Sequence, residues 1–252
     1  VKIIQETPFD LERFGVARGL KTVFGLPSTG SGGGGGTVPA SPQNATTIDL
    51  ASGGVTVTAQ IQNNVGDYLY AFILDQWFSG NTTGVTYGGQ ALTKLIEKSY
   101  DGQTVGMLWG RAAPLTGINT LTATRTTNGG FFLMGAITIR GAKQTGPEGA
   151  IGFQLATAGA APSTIDVGVT VITPGALVLG FAWGTGSIYT TPPALQWNGP
   201  PDNNGGMAIS TLEGSKAGPV TINFFERAPG TGVNGPPVTG PWIGFAVSHP
   251  PA

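Results

Sequence analysis

The sequence predicts an all-β protein: an antiparallel sandwich of jelly-roll type with two pseudo-repeated halves, preceded by an extended N-terminal arm and a Gly-rich linker. Three observations predict it. From Thr46 onward, apolar and polar residues alternate with period two in short segments, as half-buried strands do, and no helical period intervenes. The 43 glycines and 19 prolines supply turns and work against long helices. The chain also states its pattern twice, in the same order, at an offset of roughly 100–112 residues.

The repeat is read from five matches. Val55-Thr56-Val57-Thr58 returns as Val167-Gly168-Val169-Thr170-Val171, and the apolar run 69–74 as 177–182. Val85-Thr86-Tyr87-Gly88-Gly89 is matched to Leu195-Gln196-Trp197-Asn198-Gly199. The segments 120–123 and 135–138 are matched to 220–223 and 244–247. Between them, 46–50, 92–98, 104–109, 119–125, 131–139 and 207–212 also read as strands. Asp101-Gly102 signals a tight hairpin, and Asn128-Gly129-Gly130 and Asn203-Asn204-Gly205-Gly206 signal turns. Each half offers about five strands, too few to cover its own apolar face, so one sandwich over one core is expected across 46–252, with pseudo-repeats at about 46–143 and 164–250.

Residues 1–27 differ in character. Asp10, Glu12, Arg13, Arg18 and Lys21 concentrate charge there, and Phe9, Phe14, Val23, Phe24 and Leu26 supply apolar anchors. Five large apolar residues are wasteful in a solvated tail, so the segment reads as an anchor arm that docks on a partner. Residues 28–45 form a Gly/Ser/Pro-rich spacer, with Gly32 to Gly36 as its most flexible part.

Composition removes several function classes. Charged residues are 10% of the chain against an average of about 25%, and the net charge is −1, so nucleic acid is not an expected partner. Cysteine is absent, which excludes thiol chemistry and thiolate metal sites. No run reaches 18 apolar residues, so no membrane partner is expected. The opening Val1-Lys2-Ile3-Ile4-Gln5-Glu6 lacks the apolar stretch of a signal peptide, and a protein made without one is expected.

A resemblance can be named on particular residues. Gly84-Val85-Thr86-Tyr87-Gly88-Gly89-Gln90-Ala91-Leu92-Thr93 resembles the VTYNGVALT strand–turn–strand of a widespread jelly-roll-like β-sandwich module. Met107-Leu108-Trp109 followed by Ala113-Pro114-Leu115-Thr116-Gly117 is similar to that module's ELWYL-x-x-P-P-T-G stretch. Thr120-Leu121-Thr122-Ala123-Thr124 is similar to its T-V-T-V-T. Ala136 to Ala142 and Pro174 to Leu179 fit as well, and the likeness covers about residues 46–250. Such modules occur in bacterial surface proteins and bacteriophage virion proteins. The motifs are structural, so the resemblance implies the fold and carries no catalytic residues.

Several motifs tempt and fail on context. Leu26-Pro27-Ser28-Thr29-Gly30 matches a sortase signal, but it lies near the N-terminus and runs into glycine. The glycine run also matches GxGxxG, yet it neither follows a strand nor opens a helix. His249, the single histidine, stands between Ser248 and Pro250 and is expected to be solvated or at an interface. One histidine without cysteine leaves zinc short of ligands, and Asp202-Asn203-Asn204 lacks the spaced acids of a calcium loop. Among the carboxylates, Glu97 and Glu226 sit beside Lys98 and Arg227 and read as solvated; Asp101 and Asp202 read as turn residues. No acid pair announces a glycosidase. Trp109, Trp183 and Trp242 fall inside strand runs and are expected in the core, whereas Trp77 and Trp197 are candidates for an exposed ligand contact.

The expectation drawn from this is a non-enzymatic structural protein of a bacteriophage virion, of capsid-decoration or fibre type, on the particle's exterior. It would dock on capsid or other virion proteins through Phe9, Phe14, Val23, Phe24 and Leu26, and form a homo-oligomer. No cofactor and no metal are expected. The alternative is a secreted or cell-surface carbohydrate-binding or adhesive module that meets a host-surface glycan through Trp77 and Trp197.

Overall fold

The computed structural model describes residues 40–50, 54–76, 82–99, 102–156, 164–190, 195–198, 206–228 and 241–252. Every regular element among them is a β-strand, and every strand pair is antiparallel. The first half comprises β1 (Ser41–Leu50), β2 (Thr56–Asn63), β3 (Tyr68–Asp75), β4 (Thr82–Tyr87), β5 (Gln90–Ala91), β6 (Thr93–Ser99), β7 (Val105–Ala112), β8 (Gly117–Arg125) and β9 (Phe132–Arg140). The second comprises β10 (Glu148–Ala156), β11 (Thr164–Val171), β12 (Ala176–Gly184), β13 (Ser187–Thr190), β14 (Leu195–Asn198), β15 (Gly206–Ser215), β16 (Gly218–Arg227) and β17 (Trp242–His249).

Sheet order shows what the repeat builds. The first half makes one sheet of order β1-β9-β3-β7-β6 and another of order β2-β8-β4-β5. The second half makes β10-β17-β12-β15-β14 and β11-β16-β13. Renumbered within its half, the second pair repeats the first strand for strand, except that nothing answers β5. Both show the interleaving of two Greek keys that defines a jelly roll.

The four sheets stack as layers, outer–inner–inner–outer, with three apolar cores. The first outer and inner sheets close over Val57, Ile61, Leu69, Ile73, Tyr87, Met107 and Leu121. The second pair closes over Ile165, Val167, Val178, Ile222, Phe224 and Trp242. A third core lies between the two inner sheets, where Tyr70, Phe72, Leu74 and Ile137 meet Leu179, Phe181, Trp183, Phe245 and Val247. Phe72 packs edge-on against Phe245 with ring centroids 5.7 Å apart, and lies 6.1 Å from Phe181, its own counterpart in the second half. Equivalent residues that touch mark an approximate two-fold relation between the halves, the arrangement of an isologous dimer within one chain.

Strand composition follows from layer position. An outer sheet has one covered face, so β2 and β11 alternate exposed and buried along their whole length. An inner sheet is covered on both faces, so β3, β12 and β17 are buried throughout and mainly apolar, with Asp75, Ser248 and His249 only at strand ends. Close approach also demands small residues. A Cβ on Gly106 would lie 2.7 Å from Ile243 Cγ2 across the inner interface, and one on Gly244 would lie 2.7 Å from Val167 Cγ2 beneath it. Trp109, Trp183 and Trp242 are buried, as the strand pattern predicts.

Six expectations need correction. The spacer expected to reach residue 45 ends sooner, because β1 begins at Ser41. The match of 69–74 to 177–182 is out of step by one residue, since Phe72 and Phe181 share the inner core whereas Gly180 faces Ile222 and Phe224. Each half covers its own apolar face with its own outer sheet, so there are three cores rather than one. The second jelly roll begins at β10, sixteen residues before the expected 164, because Gly149 and Gly152 break the alternation that would have revealed the strand. The segment 85–89 does not match 195–199. β4 pairs with β8 in an outer sheet, as β13 does with β16, whereas β14 pairs with β15 in an inner sheet and is the counterpart of β6. The turn at Gly102 is wider than a two-residue hairpin: Ser99 pairs with Val105, and the Gly102 amide donates to Ser99 Oγ at 2.9 Å. Asp101 lies outside the described residues.

Candidate functional site

The residues singled out for function are for the most part not described. Phe9, Phe14, Val23, Phe24, Leu26 and Trp77 lie outside the described residues. Trp197 belongs to β14, at the edge of the second inner sheet, where its backbone pairs with Ile209; its side chain is outside the description. What the structure places are the polar groups of the body and its surfaces, two outer faces and two ends.

The buried charged groups of the body are tied into local bonds. At one end of the first jelly roll, Arg125 donates from Nη1 to Asp75 Oδ1 at 2.9 Å and from Nε to Gly54 O at 2.8 Å, and its guanidinium lies 4.8 Å from the Phe132 ring centre. Thr82 Oγ1 donates to the other carboxylate oxygen of Asp75 at 2.9 Å. Burial pushes the Asp75 carboxyl above its ordinary range, against the opposing hydrogen bonds and charge of Arg125. This pair clasps the ends of β3, β8 and the 130–132 segment, a structural task.

At the corresponding end of the second jelly roll stands Glu226, which is the positional counterpart of Arg125 in β16. Sequence reading expects it to be solvated beside Arg227; it is instead fully buried. Its Oε1 accepts the Gly186 amide and, at 3.2 Å, the Thr185 hydroxyl, so the carboxylate stitches the β12–β13 turn. Position 226 is even with Phe224 and Ile222 in the strand, which fixes it inward. Glu97, by contrast, stays partly exposed and pairs with Lys94 rather than its neighbour Lys98.

His249 also departs from expectation. It is fully buried although it lies three residues from the end of the chain. As the last residue of β17 it points between the inner sheets, at the place that Ile139 takes in β9. Nε2 lies 2.8 Å from Lys143 O, which can only accept, so Nε2 carries the proton; Nδ1, 2.6 Å from Tyr70 Oη, is then the acceptor. Burial holds the imidazole pKa down at about 4, so the ring is neutral at pH 7. The histidine thus joins the second jelly roll to β3 of the first and to the linker between them.

Glu148 completes that linker. Burial raises its carboxyl pKa, but hydrogen bonds from Ser248 Oγ at 2.7 Å and from the Ile172 and Thr173 amides outweigh this and hold it below the ordinary value. Asp67, at the start of β3, accepts the Asn64 amide at 2.7 Å, and burial raises its pKa. None of these carboxylates faces a second one across an open cleft in the way acid–base catalysis on a glycoside requires. No group of three or more His, Cys, Asp or Glu among the described residues is placed to hold a metal ion.

The surfaces differ in chemistry. The first outer face presents Thr56, Thr58, Gln60 and Gln62 of β2 beside Thr120, Thr122 and Thr124 of β8, with Gln60 Nε2 donating to Thr120 Oγ1 at 2.8 Å. Among the described residues, its strands present no charged side chain outward. The second outer face carries Tyr189 stacked on Phe225 at 5.6 Å, Arg227 over Phe225 at 4.6 Å, and Asn223 donating to Asp166 at 2.7 Å. Sequence reading missed this ladder because Tyr189 lies in the unrecognised four-residue β13.

The chain's entry and exit lie together at one end. Ser41 pairs with Arg140, Pro251 bridges to Ala142, and the Ala252 amide donates to Gly141 O at 2.8 Å. Comparison of the chain with protein families, curated proteins and solved structures yields no match.

Proposed function

We propose that this is a non-enzymatic structural protein of a bacteriophage virion, of capsid-decoration or fibre type, on the particle's exterior and attached through its N-terminal arm. The observation that carries the reading is the placement of both ends of the body. Residue 40, where the arm joins, and residue 252 meet at one end of a four-layered body that is braced internally by a third core. A body gripped at one end and presenting two broad outer faces suits an appendage. The buried groups Asp75, Arg125, Glu226 and His249 are engaged in bracing, which further favours a structural role over a catalytic one. The partners in this reading are capsid or other virion proteins, and copies of the chain itself in an oligomer.

The test is deletion of residues 1–36. The shortened protein is expected to fold but to be lost from particles; decoration at the occupancy of the intact protein removes the anchor reading.

A second reading, an adhesive or carbohydrate-binding module, is favoured by one observation: the Tyr189–Phe225–Arg227 ladder with Asp166 and Asn223 beside it joins ring surface and hydrogen-bonding groups on one exposed face. It requires saccharide binding at millimolar ligand that is lost in Phe225→Ala. A glycan screen without signal for the intact protein ends it.

A further inference from the structure

Large apolar side chains left in water gather at the end where the arm joins. Val65, at the tip of the β2–β3 loop, is 87% exposed; Ile118, at the start of β8, is 69% exposed; Ile172, in the matching β11–β12 loop, is 59% exposed. Leu115 joins them at the turn that precedes β8. Register brings these segments together. Asn63 pairs with Gly117, which sets the β2–β3 loop beside 115–118. Tyr68 opens β3 and Leu177 lies at the start of β12; the ring of His249, which pairs with Leu177, lies 4.6 Å from Tyr68. The two loops therefore share one end of the body, together with Ser41 and Ala252.

Exposed apolar residues scattered singly need no explanation, but a set at one end does. The other two large exposed ones among the described residues are placed differently: Phe153 lies under the Lys98 ammonium at 4.1 Å, and Val55 precedes β2 at the opposite end. Nor does turn chemistry require Val65 or Ile172. The tight conformation of the first loop is supplied by Gly66 at φ 79° and by Asp67, whose carboxylate caps the Asn64 amide. A polar residue would serve the tip equally well.

The chain outside the described residues says what faces this end. Thirty-nine residues precede Ala40, and Leu26, the last apolar residue of the arm, is tethered within about 50 Å of it even at full extension. A flexible tether of that length typically spans about 20 Å, which keeps what takes the arm nearest to this end of the body. Charge around the patch is of both signs: Lys143 and Lys216 are exposed, as is Glu213, Arg140 lies 3.7 Å from the Asp67 carboxylate, and the Glu148 carboxylate accepts the Ile172 amide.

We propose that Val65, Leu115, Ile118 and Ile172 form a second contact, pressed against an apolar surface of the same protein partner that receives the arm. This rests on the arm-docked reading above. The arm supplies attachment; the patch fixes the body's orientation on the partner, as a second contact on a short tether does at high effective concentration.

The test places a photo-crosslinking phenylalanine analogue singly at Phe14, Val65 or Thr58 and irradiates particles purified from the producing culture. Thr58 lies on the outer face of the same jelly roll and serves as the control. Adducts from positions 14 and 65 to one and the same polypeptide, with none from 58, are expected. Adducts from 14 but none from 65, or from 65 to a different polypeptide, overturn the patch and leave the arm standing. No adduct from 14 overturns the arm reading and the patch with it. As an independent check, Val65→Asp with Ile118→Asp should leave folding unchanged and weaken particle binding about tenfold; unchanged binding counts against the patch.

Discussion

The two jelly rolls share one topology and one set of inward positions, yet they differ at almost every position where chemistry is free to vary. Arg125 and Glu226 occupy the same place near the end of equivalent strands, one a buried cation paired with Asp75, the other a buried anion held by a turn. Ile139 and His249 share a place at the inner interface. Gly106 is the counterpart of Met207, and the threonines of the first outer face correspond to Asn223 and Phe225 of the second. The fold is therefore maintained by which side of a strand is covered, and polar solutions at its ends are interchangeable as long as each buried group finds a partner.

Exchanging counterparts sharpens this claim. The largest effect is expected for Arg125→Glu, which installs the second half's residue in the first. It removes the ion pair and sets a carboxylate against buried Asp75, so unfolding free energy by urea titration should fall by at least about 3–5 kcal/mol. A loss under 1 kcal/mol would show that the clasp is not part of the first half's stability.

His249→Ile tests the second exchange through pH. With a folded pKa of about 4 against an ordinary 6.5, the unfolded chain takes up the proton first as pH falls. Stability is thus full above pH 6.5 and declines between 6.5 and 4, by about 3 kcal/mol for this group alone. His249→Ile should flatten that part of the profile while leaving the carboxylate contributions. An unchanged slope would mean that the imidazole is not kept neutral by its burial.

Smaller effects follow. Gly106→Met copies the counterpart Met207 into a place where the first added carbon already meets Ile243, and overpacking should cost about 1–3 kcal/mol. Thr122→Asn copies Asn223 on an exposed face and should change stability by no more than about 0.5 kcal/mol. If the last exchange cost as much as the first, the division into fixed inward and free outward positions would fail.

Much of the architecture was legible. Strict alternation marked β2 and β11, and continuous apolar runs marked β3, β12 and β17. The same runs carried a further message that went unused. Leu69 to Leu74 and Leu177 to Ala182 are apolar on both faces, which a two-layer sandwich with one wet side does not require. That pattern calls for a sheet covered twice, hence four layers. The misplaced match of 85–89 to 195–199 arose because short strands of similar composition serve different sheets, and composition does not record the pairing partner.

The site was less legible. Glu226 and His249 were read by their neighbours Arg227 and Pro250, whereas their burial is decided by strand parity counted from Phe224 and Val247. Val65 and Ile172 drew no notice because single apolar residues in loops are ordinary. Their meaning comes from register, which brings two loops 107 residues apart to the end where the arm enters.

The most direct measurement is quantitative mass spectrometry of purified virions, set against envelope and medium fractions of the same culture. The account predicts the chain in the particle at a fixed stoichiometry to the major capsid or tail protein. Recovery from envelope or medium, with none in the particle, would contradict it and leave the adhesive reading in its place.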